Sequence, residues 1–544
     1  MNPGLAPGVS KSSGFTVPKT AGLSITVYGG VPGEIGGNRI LVEWPARRWL
    51  LDFGMRFGPT GRFFEEFVQP RGATLGLRDY LRMGLIPPLE GLYRSDLSAH
   101  DPGLWARYRG HPRYRTVDRV DGVLLSHGHV DHVGSMGFLR EDIPVYTGLT
   151  TALIGKCLQD PKPTGVDGEF NYLVPRASKG DVLEAARGAP RIQRKHYIAT
   201  DGTDVTDPAA AIAQLAGFWG WVPGERTSIQ SAPLELLDGR RLSELGVRFW
   251  RVDHSIPGSG AWGIETPIGW VIYSGDLRMH GHSRQRTEKF VKAARALEPA
   301  LLIIEGTRVD QSGAVTEPEV HQAADDVVRQ AGGVVIADFT ARNIERLRTF
   351  RDIATARGRR LVVTTKDAYM LEHLHVIDPN IPHPASGGLA ILDEPLGTVP
   401  NWEKDVRQRF AANFVKAADV RREPGAYILC LSYWDITNLV DLEPAGGTYI
   451  YSSSEAHSEE QEIDAKRLTN WLDHFALRKV GGLPGAEQGP YHASGHIDGP
   501  ALQGLIEEIG ARRILPVHTE HPEWFEQRWG KQVVVVAEGV PTTF

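Results

Sequence analysis

The chain has 544 residues, of which 41% are hydrophobic and 23% are charged, and this composition excludes a disordered or fibrous protein. With 60 Lys and Arg against 66 Asp and Glu, the net charge of -6 excludes a uniformly basic nucleic-acid coat, but not a local basic groove. The two cysteines, Cys157 and Cys430, are far apart, so neither a disulfide framework nor a cysteine zinc site is expected. No apolar run is long enough to span a membrane, and the N-terminus lacks the apolar core of a signal peptide. We therefore expect a soluble, cytoplasmic protein.

The first half of the chain predicts strands interrupted by two insertions. Short apolar runs separated by glycine predict a strand meander over residues 23–54. Residues 55–118 and 158–240 show no sustained hydrophobic period, and we interpret them as insertions, the second containing an alanine-rich helix at 207–221. Between the insertions, the apolar run 120–126 predicts a buried strand followed by a loop and the start of a helix.

The second half changes from hairpins to alternating helices and strands. Residues 262–276 predict a hairpin with a TPIG turn, and residues 297–307 predict a fully buried strand. Beyond it, helices and strands alternate, which predicts a parallel sheet in a separate domain. The tail predicts a helix at 498–510, a strand at 512–519, a further helix and a last strand in the valine run 533–539.

The strongest chemical signal is the HxHxDH pattern that follows the predicted strand 120–126. It places His127, His129, Asp131 and His132 within six residues. Alternate residues of an extended loop turn two imidazoles to one side, while the next acid and imidazole serve a neighbouring ion. The alternative, histidines that merely line a surface loop, accounts poorly for this fixed spacing. The pattern therefore predicts a site for two metal ions.

Further ligand candidates lie at the ends of later predicted elements. His254 and Asp276 each end a predicted strand, and His496 and His518 lie in loops next to regular elements. Taken singly they are ambiguous, because a strand-terminal Asp also forms turns and a strand-end His need not bind metal. Both interpretations stay open for each residue taken alone.

A family resemblance joins these motifs. HGHVDH, DHSIP followed by a strand and SGD, IIEGT, ASGH and PVHTE occur here in the order of the metallo-β-lactamase/β-CASP nucleases, and VYGGVPGEIGGN and DHSIP to SGDLR most resemble ribonuclease J. The resemblance covers about 20–57, 118–160 and 240–525. It implies an α/β fold, the metallo-β-lactamase αββα sandwich with an inserted β-CASP α/β domain.

The same resemblance implies a division of the chain into segments. Residues 1–19 would be a flexible lead-in and 20–310 the first part of the metallo-β-lactamase domain. Residues 311–485 would form the β-CASP domain, and 486–544 would return to complete the sandwich.

Residue roles follow from the matched motifs. The resemblance implies one zinc on His127, His129 and His254. It implies a second zinc on Asp131, His132 and His518, with Asp276 bridging the two ions. Manganese accepts the same ligands. Asp52 would orient the histidine loop. Glu305 and His496 would handle protons at the leaving group, although Glu305 also fits a buried strand-end acid with a local partner.

The resemblance implies a ribonuclease that hydrolyses RNA phosphodiester bonds, as a 5′-to-3′ exonuclease, an endonuclease or both. A hydroxide activated by two metal ions would attack the phosphorus, with Asp131, Glu305 and His496 as the catalytic residues. RNA is favoured over DNA because RNA-cleaving members resemble one another in having His at the last motif, here His518, where the DNA-repair branch typically has Val.

A single-stranded, 5′-monophosphorylated RNA is the expected partner. Ser494 and Gly495 in the ASGH turn, or Thr340 and Asn343 at a predicted helix start, would bind its phosphate, although Thr340 is equally a plain N-cap. Basic residues would line a phosphate track or belong to solvated, charge-balanced faces. They are Arg278, Arg284, Arg286, Lys289, Arg342, Arg346, Arg348, Arg351, Arg357, Arg359 and Arg360.

Three rival functions and one departure from the family pattern remain. The rivals are a hydrolase of small esters on the same fold, a DNA nuclease of the repair branch, and an inactive structural member of an RNA-processing complex.

Ribonuclease J usually has a further C-terminal domain that helps it dimerise, and this chain runs only 26 residues beyond His518. We therefore expect that domain to be missing and leave a homodimer open.

Overall fold

A computed structural model describes residues 22–544 except 66, 163–164, 201–204, 206, 225–226 and 454–458. The predicted lead-in, residues 1–19, lies outside the described residues. Three large β-sheets organise the chain, and helices cover their outer faces. Within the described residues, no helix is both long enough and apolar enough to cross a membrane.

The first sheet has eight strands and is built on the predicted N-terminal meander. In spatial order its strands are Leu234–Leu237, His196–Ala199, Val145–Thr147, Gly122–Leu124, Arg47–Leu51, Arg39–Trp44, Ser24–Gly29 and Thr542–Thr543. The meander strands pair antiparallel, whereas Arg47–Leu51 pairs parallel with Gly122–Leu124. The metal-motif strand therefore lies in the middle of the sheet.

The second sheet has five strands and contains the predicted hairpin. Its order is Val247–Arg251, Gly260–Thr266, Gly269–Tyr273, Leu301–Glu305 and Ile514–Val517. The last three strands run parallel, so Tyr273, Glu305 and Val517 all end at one edge of the sheet. The loops that carry Asp276 and His518 start at this edge.

The first and second sheets share one hydrophobic core. Trp49 and Leu51 of the first sheet belong to the same buried cluster as Trp262, Tyr273 and Leu515 of the second. Removing such large apolar surfaces from water is the main driving force that holds two sheets together. The cluster makes the two sheets the inner layers of a sandwich.

Helices and irregular segments cover the outer faces of the sandwich. Residues 55–118 pack over the first sheet, where Leu77 and Leu81 join a buried cluster with Leu41 and Leu50. The helices of this half are Phe57–Gly61, Gly72–Leu75, Arg78–Arg82, Val130–Val133, Leu149–Gln159, Pro208–Trp219 and Gly239–Glu244. Helices Arg284–Arg295, Gly499–Ile509 and Pro522–Trp529 cover the second sheet. The layers confirm the predicted αββα arrangement.

The third sheet has seven parallel strands, all of which fall inside the segment 311–485. Their order is Phe414–Val415, Leu389–Leu392, Arg360–Val363, Tyr427–Cys430, Val335–Asp338, Gly447–Tyr451 and Leu477–Gly481. Its helices are Glu317–Gln330, Ile344–Ala356, Thr365–His375, Asn401–Arg409, Ala417–Arg422, Asn438–Leu442 and Glu459–His474. The helices and strands that alternate in the sequence therefore form an inserted α/β unit. The limits of this domain, 311–485, stay a prediction.

In the structure, the segments 158–240 and 533–539 differ from what the sequence predicts. Within the predicted insertion 158–240, strands His196–Ala199 and Leu234–Leu237 pair parallel with each other and extend the first sheet next to Val145–Thr147. These two strands of the segment are therefore part of the core sheet. The short strands Tyr172–Leu173, Arg176–Lys179, Val182–Ala185, Arg191–Gln193 and Ile229–Gln230 lie outside that sheet, as do Leu89–Glu90 and Arg115–Thr116 of the first insertion.

The strand predicted in the valine run 533–539 is wrong. Only Val533 forms a bridge, with Ile514, because the chain crosses from the second sheet to the first. The amide of Val534 donates to the Ile514 carbonyl, and the amide of Gly539 donates to the Val27 carbonyl, both at 2.8 Å. A segment that passes between two sheets does not build a ladder with either one.

Candidate metal centre

The loop that carries the first motif is held in shape by close backbone packing. Strand Gly122–Leu124 ends in the central part of the first sheet, and helix Val130–Val133 begins immediately after His129. Gly54 passes so close to this helix that a Cβ placed there would lie 1.6 Å from the carbonyl oxygen of Asp131. The position therefore requires glycine, and the contact fixes the start of the helix.

Three histidines converge on one point in the first ligand cluster, defined by His127, His129 and His254. Nδ1 of His129 lies 3.1 Å from Nε2 of His127 and 3.1 Å from Nε2 of His254. His254 comes from the loop after strand Val247–Arg251, so the two sheets contribute to the same cluster. The predicted ligands of one ion are thus brought together.

The second ligand cluster consists of Asp131, His132, Asp276 and His518, whose ligand atoms lie within 4.8 Å of one another. Nε2 of His132 lies 3.1 Å from Oδ2 of Asp276, and Nε2 of His518 lies 3.1 Å from Oδ2 of Asp131. His518 directly follows strand Ile514–Val517, and its own backbone is left-handed, with φ of 52°. Three loops from two sheets therefore meet here.

Asp276 lies between the two clusters. Its Oδ2 is 3.6 Å from Nε2 of His127 in the first cluster and 3.7 Å from Nε2 of His518 in the second. Its Oδ1 is buried and accepts no hydrogen bond from the part of the chain that the structure describes. A buried carboxylate oxygen without a donor is costly unless a cation or water satisfies it.

The donor set fits divalent metal ions. Imidazole nitrogens facing each other, together with carboxylate oxygens, are ligands that zinc and manganese both accept. The orphaned Oδ1 of Asp276 supplies an independent reason for a cation between the clusters. Together the clusters would hold a divalent metal, and the number and identity of the ions belong to the proposal below.

The pKa values of the two clusters differ because their charges differ. Burial holds the pKa of His127 and His254 well below the ordinary value, which leaves their ring nitrogens available as ligands. In the second cluster burial opposes protonation of His132, but the carboxylates of Asp276, Asp131 and Asp52 raise its pKa well above the ordinary value. Negative charge is therefore concentrated in the second cluster.

Asp52 contacts the histidine loop, whose orientation is its predicted role. One oxygen of its carboxylate accepts a hydrogen bond from the Ser126 amide at 2.7 Å, and the other lies 2.7 Å from Nδ1 of His132. The Tyr273 hydroxyl donates to the same oxygen at 2.6 Å, and Asn38 donates to the Tyr273 hydroxyl at 2.9 Å. Ligand histidines are commonly fixed by such a carboxylate behind the metal site.

Glu305 and His496 form the predicted pair beside the clusters. Oε2 of Glu305 lies 2.9 Å from Nδ1 of His496. Burial acts against a proton on His496, but the Glu305 carboxylate raises its pKa to about 9. The opposite oxygen of Glu305 accepts from the Leu277 amide at 2.7 Å, next to Asp276, so the pair is tied to the ligand loop.

The ASGH turn serves the ligands directly. The Gly495 carbonyl accepts a hydrogen bond from Nδ1 of His254 at 2.6 Å, and the Ser494 hydroxyl accepts from the His496 amide at 3.2 Å. Backbone and side chain of this turn are therefore engaged in holding His254 and His496. A phosphate role for Ser494 and Gly495 stays a prediction.

The second pair of predicted phosphate ligands has other partners. Helix Ile344–Ala356 begins after Asn343, whose side chain accepts a hydrogen bond from the Arg346 amide at 3.1 Å. Asn343 is therefore the N-cap, and the alternative role of Thr340 as a cap is wrong. The Thr340 hydroxyl instead accepts from Nε of Arg342 at 3.0 Å.

Most of the predicted phosphate track is occupied by protein contacts. Arg278 and Arg346 are fully buried and both contact Glu317. Surface arginines are paired with acids: Arg284 with Glu288, Arg348 with Asp378, Arg351 with Asp352 and Arg357 with Asp325. Arg359 and Arg360 donate to backbone carbonyls. The alternative interpretation, a solvated face balanced by nearby acids, describes the four surface arginines but not the buried Arg278 and Arg346.

Sequence reasoning missed several residues that hold the site together. Tyr273 and Asn38 support Asp52, and Thr307 lies 2.9 Å from Nδ1 of His518 through its hydroxyl oxygen. Asp253 accepts from Arg278 at 3.1 Å beside the ligand His254. Tyr273 and Thr307 each lie close in sequence to a predicted site residue, Asp276 and Glu305, and that proximity is the signal that was available.

Comparison with known proteins agrees with this fold. Residues 101–306 match the family model of the metallo-beta-lactamase superfamily. The chain is 22% identical to ribonuclease J of Corynebacterium glutamicum over 94% of this chain and 55% of that protein. It is 22% identical to ribonuclease J of Pyrococcus abyssi over 90% of this chain and 88% of that protein. It is 26% identical to ribonuclease J 2 of Streptococcus pyogenes over 46% of this chain and 35% of that protein. The chain thus spans only about a third to just over half of the Streptococcus and Corynebacterium relatives.

A solved structure supports the whole fold. A protein of unknown function from Enterococcus faecalis superposes with a TM-score of 0.64 at 18% identity, covering 96% of this chain and 100% of that one. The sandwich with its paired ligand clusters, and the family match over residues 101–306, resemble proteins of the metallo-β-lactamase superfamily. Over most of its length the chain is ribonuclease J-like, which confirms the predicted resemblance.

Proposed function

We propose that this protein is a metal-dependent nuclease of ribonuclease J type, which hydrolyses phosphodiester bonds of single-stranded RNA. The observation that carries the proposal is the placement of the Glu305–His496 pair directly beside two ligand clusters that share Asp276. The similarity to ribonucleases J over most of the chain supports RNA as the substrate.

The two clusters would hold two divalent ions, zinc or manganese. When bound, the ions supply the Lewis acidity that activates water and neutralises phosphoryl oxygens. Asp131 and Asp276 contribute the negative charge that retains the ions, and Asp52 keeps the His132 ring in the orientation needed for binding.

His496 is placed to give a proton to the leaving oxygen. Its Nδ1 is engaged by Glu305, so Nε2 is the nitrogen left for the substrate, and the side chain is 22% exposed. The raised pKa keeps the ring protonated at neutral pH, as a general acid requires. Glu305 thus acts through His496, as a positioning residue that holds the ring and its charge.

The test is cleavage of a 5′-monophosphorylated single-stranded RNA labelled at its 3′ end, compared with its 5′-hydroxyl form and with DNA of the same sequence. We expect RNA cleavage that is lost in Asp131→Asn and kept in the exposed control Asp118→Asn. Labelled strands that shorten progressively from the 5′ end identify 5′-to-3′ exonuclease action, and labelled fragments of discrete intermediate length identify endonuclease action. Cleavage of DNA alone, or of no RNA by metal-loaded protein, would refute the proposal.

A further inference from the structure

Trp434 is the only exposed tryptophan in the described part of the chain, with 81% of its surface accessible to water. It follows strand Tyr427–Cys430, which lies between Arg360–Val363 and Val335–Asp338 in the third sheet. Because these strands are parallel, the loop with Trp434 lies at their carboxyl edge. Ligands of parallel α/β sheets bind at this edge, where the loops after the strands converge.

The loop with Trp434 contacts the loop that follows the neighbouring strand. The Leu431 amide donates a hydrogen bond to the Ala337 carbonyl at 3.3 Å. Sγ of Cys430 donates to the Phe339 carbonyl at 3.5 Å. The neighbouring loop therefore fixes where the chain leaves the sheet on its way to the tryptophan.

That neighbouring loop leads into helix Ile344–Ala356, whose start contacts the loops of the candidate metal centre. Glu345 accepts from Nη2 of Arg278 at 2.7 Å, and Arg278 lies two residues after Asp276. Nη1 of the same arginine donates to the Ser494 carbonyl in the ASGH turn at 3.1 Å. A continuous set of contacts therefore joins this edge of the third sheet to the ligand loops.

The side chain of Trp434 projects from a fixed turn. Asp435 accepts from the Ser432 amide at 3.2 Å and from the Ser432 hydroxyl at 2.6 Å, and these bonds close the turn. Tyr433 is half-buried and packs on the apolar core of the third sheet. Its ring centroid lies 5.4 Å from that of Trp434, at an interplanar angle of 65°. A ring whose backbone is fixed in advance loses less freedom when it binds a partner.

The size of the exposed ring favours a small, flat partner. A tryptophan side chain covers about 150–250 Å², whereas a stable protein interface buries about 800 Å² on each side. The other exposed large apolar side chains among the described residues of 311–485 are aliphatic and only about half exposed: Leu396, Val440 and Ile463. One nucleobase matches the area and the π-face of the indole, and the bases of a single strand are free to stack on it.

We propose that Trp434 stacks on a nucleobase of the single-stranded substrate, a role that rests on the proposed nuclease function. Every base presents a π-face, so this contact holds the strand whatever its sequence. The removal of exposed indole surface from water adds to the stability of the contact. Trp434 is in this role a binding residue, which touches no reacting atom.

Equilibrium binding of a fluorescein-labelled single-stranded RNA tests this role separately from cleavage. Fluorescence anisotropy is measured with an Asp131→Asn parent, which keeps the RNA intact, and with Trp434→Ala, Trp434→Phe or Trp434→Leu added to that parent. The control is Val535→Ala, which removes an apolar side chain that is 62% exposed in the segment between the other two sheets. Both residues are exposed, so all variants should fold, and melting temperatures verify this.

We expect Trp434→Ala to weaken binding about 10- to 100-fold, as for one lost stack between a base and an aromatic ring. Trp434→Phe should recover much of the affinity and Trp434→Leu little, because leucine is apolar but has no π-face. The slope of log affinity against log salt should stay unchanged, since no charge is removed.

RNAs with a single abasic position locate the stacked base. One of them should bind the parent more weakly than intact RNA does. The same RNA should bind Trp434→Ala as tightly as intact RNA does, because the ring that the base would contact is already absent.

Three results would overturn the assignment. Binding by Trp434→Ala that equals that of Val535→Ala removes the role of the ring. Abasic RNAs that each lose the same factor on the parent and on Trp434→Ala show that the ring stacks on no base. A parent that binds no RNA removes the assignment together with the proposed substrate.

The two proposals fail in different ways. If wild type does not cleave RNA that the parent binds, the nuclease proposal fails, and the binding comparison still decides the role of Trp434. If wild type cleaves RNA and Trp434→Ala binds it normally, only the stacking proposal fails. Light scattering then tests the other occupant, since a wild-type oligomer that Trp434→Ala dissociates assigns the ring to a second copy of the chain.

Discussion

Asp52 lies behind the metal centre with one carboxylate oxygen 2.7 Å from Nδ1 of His132 and 2.6 Å from the hydroxyl of Tyr273. The backbone of Asp52 adopts a left-handed conformation with φ of 53°, which non-glycine residues seldom take. A strained residue that points its side chain at a ligand histidine is typical of a functional site. The contact joins the strand meander of the first sheet to the hairpin of the second.

Tyr273→Phe should weaken the metal centre without dismantling it. The variant removes one hydrogen bond to Asp52 and leaves Asn38 without its acceptor. We expect metal affinity to fall about 10-fold, and Asp52→Asn to cost up to about 100-fold, since outer ligand partners have effects of this size. Metal content measured at rising chelator concentration checks both. Equal metal affinity in wild type and Asp52→Asn would contradict the orienting role.

Gly495→Ala should disturb the first ligand cluster. A Cβ at this position would lie 2.6 Å from Oγ of Ser255 and 2.8 Å from Cε1 of His254, so the ligand ring must shift. We expect at least a tenfold loss of RNA cleavage, on the order of 1.4 kcal/mol. Gly504→Ala is the matched control, since nothing lies within 4 Å of its added Cβ in helix Gly499–Ile509, and alanine there should slightly stabilise the protein. Unchanged cleavage by Gly495→Ala would show that the His254 position tolerates the shift.

Glu305→Gln should lower the rate of cleavage while the protein keeps its metal. The variant removes the negative charge that acts on His496, so the pKa of the imidazole falls and a smaller fraction of the protein carries the proton to be donated. We expect kcat to fall about 100-fold or more. Metal content and RNA affinity should stay near the wild-type values, and Glu508→Gln on the exposed face of helix Gly499–Ile509 is the control. A parallel loss of metal would show that Glu305 acts on the ligand loop instead.

Removal of the metal should affect both stability and activity. Because the ligand clusters form only in the folded chain, bound ions stabilise the native state, and a chelator should lower the melting temperature by about 5 °C or more. Cleavage should disappear and return when zinc or manganese is added. Calorimetry and the RNA assay measure these effects. Undiminished cleavage after complete metal removal, shown by metal analysis, would rule out a metal-dependent reaction.

Asp338 should make the stability of the protein depend on pH. Burial raises the pKa of its carboxyl to about 6, although hydrogen bonds from Tyr449 and Ser453 oppose the shift. The folded state then binds a proton more tightly than the unfolded chain, so the stabilisation is present below pH of about 4 and is lost as the pH rises to about 6. The full effect is about 2 to 3 kcal/mol. In Asp338→Asn this part of the pH dependence should disappear, as thermal unfolding at pH 4.5 and 7.5 would show, whereas equal slopes in both proteins would contradict it.

The sequence by itself determined the elements and the identity of the ligand types. Apolar alternation and glycine turns predicted the meander and the hairpin, and the HxHxDH spacing predicted a metal loop, because these signals are local and depend on backbone periodicity. The valine run 533–539 shows the limit of such signals. Its composition favours a strand, but the strand lacks a partner because the chain there crosses between two sheets.

Only the tertiary structure decided which candidate site residues lie together and which make other contacts within the protein. His254, Asp276 and His518 are far apart in sequence, and they converge because parallel strands of the second sheet end at one edge. The same packing removed Arg278 and Arg346 from the predicted phosphate track, since burial forces a charged group to find an acid or a carbonyl. It left Arg342 with its terminal nitrogens unpaired within the described part of the chain. Spacing along a chain predicts neighbours within one loop, whereas contacts between loops depend on how the sheets pack.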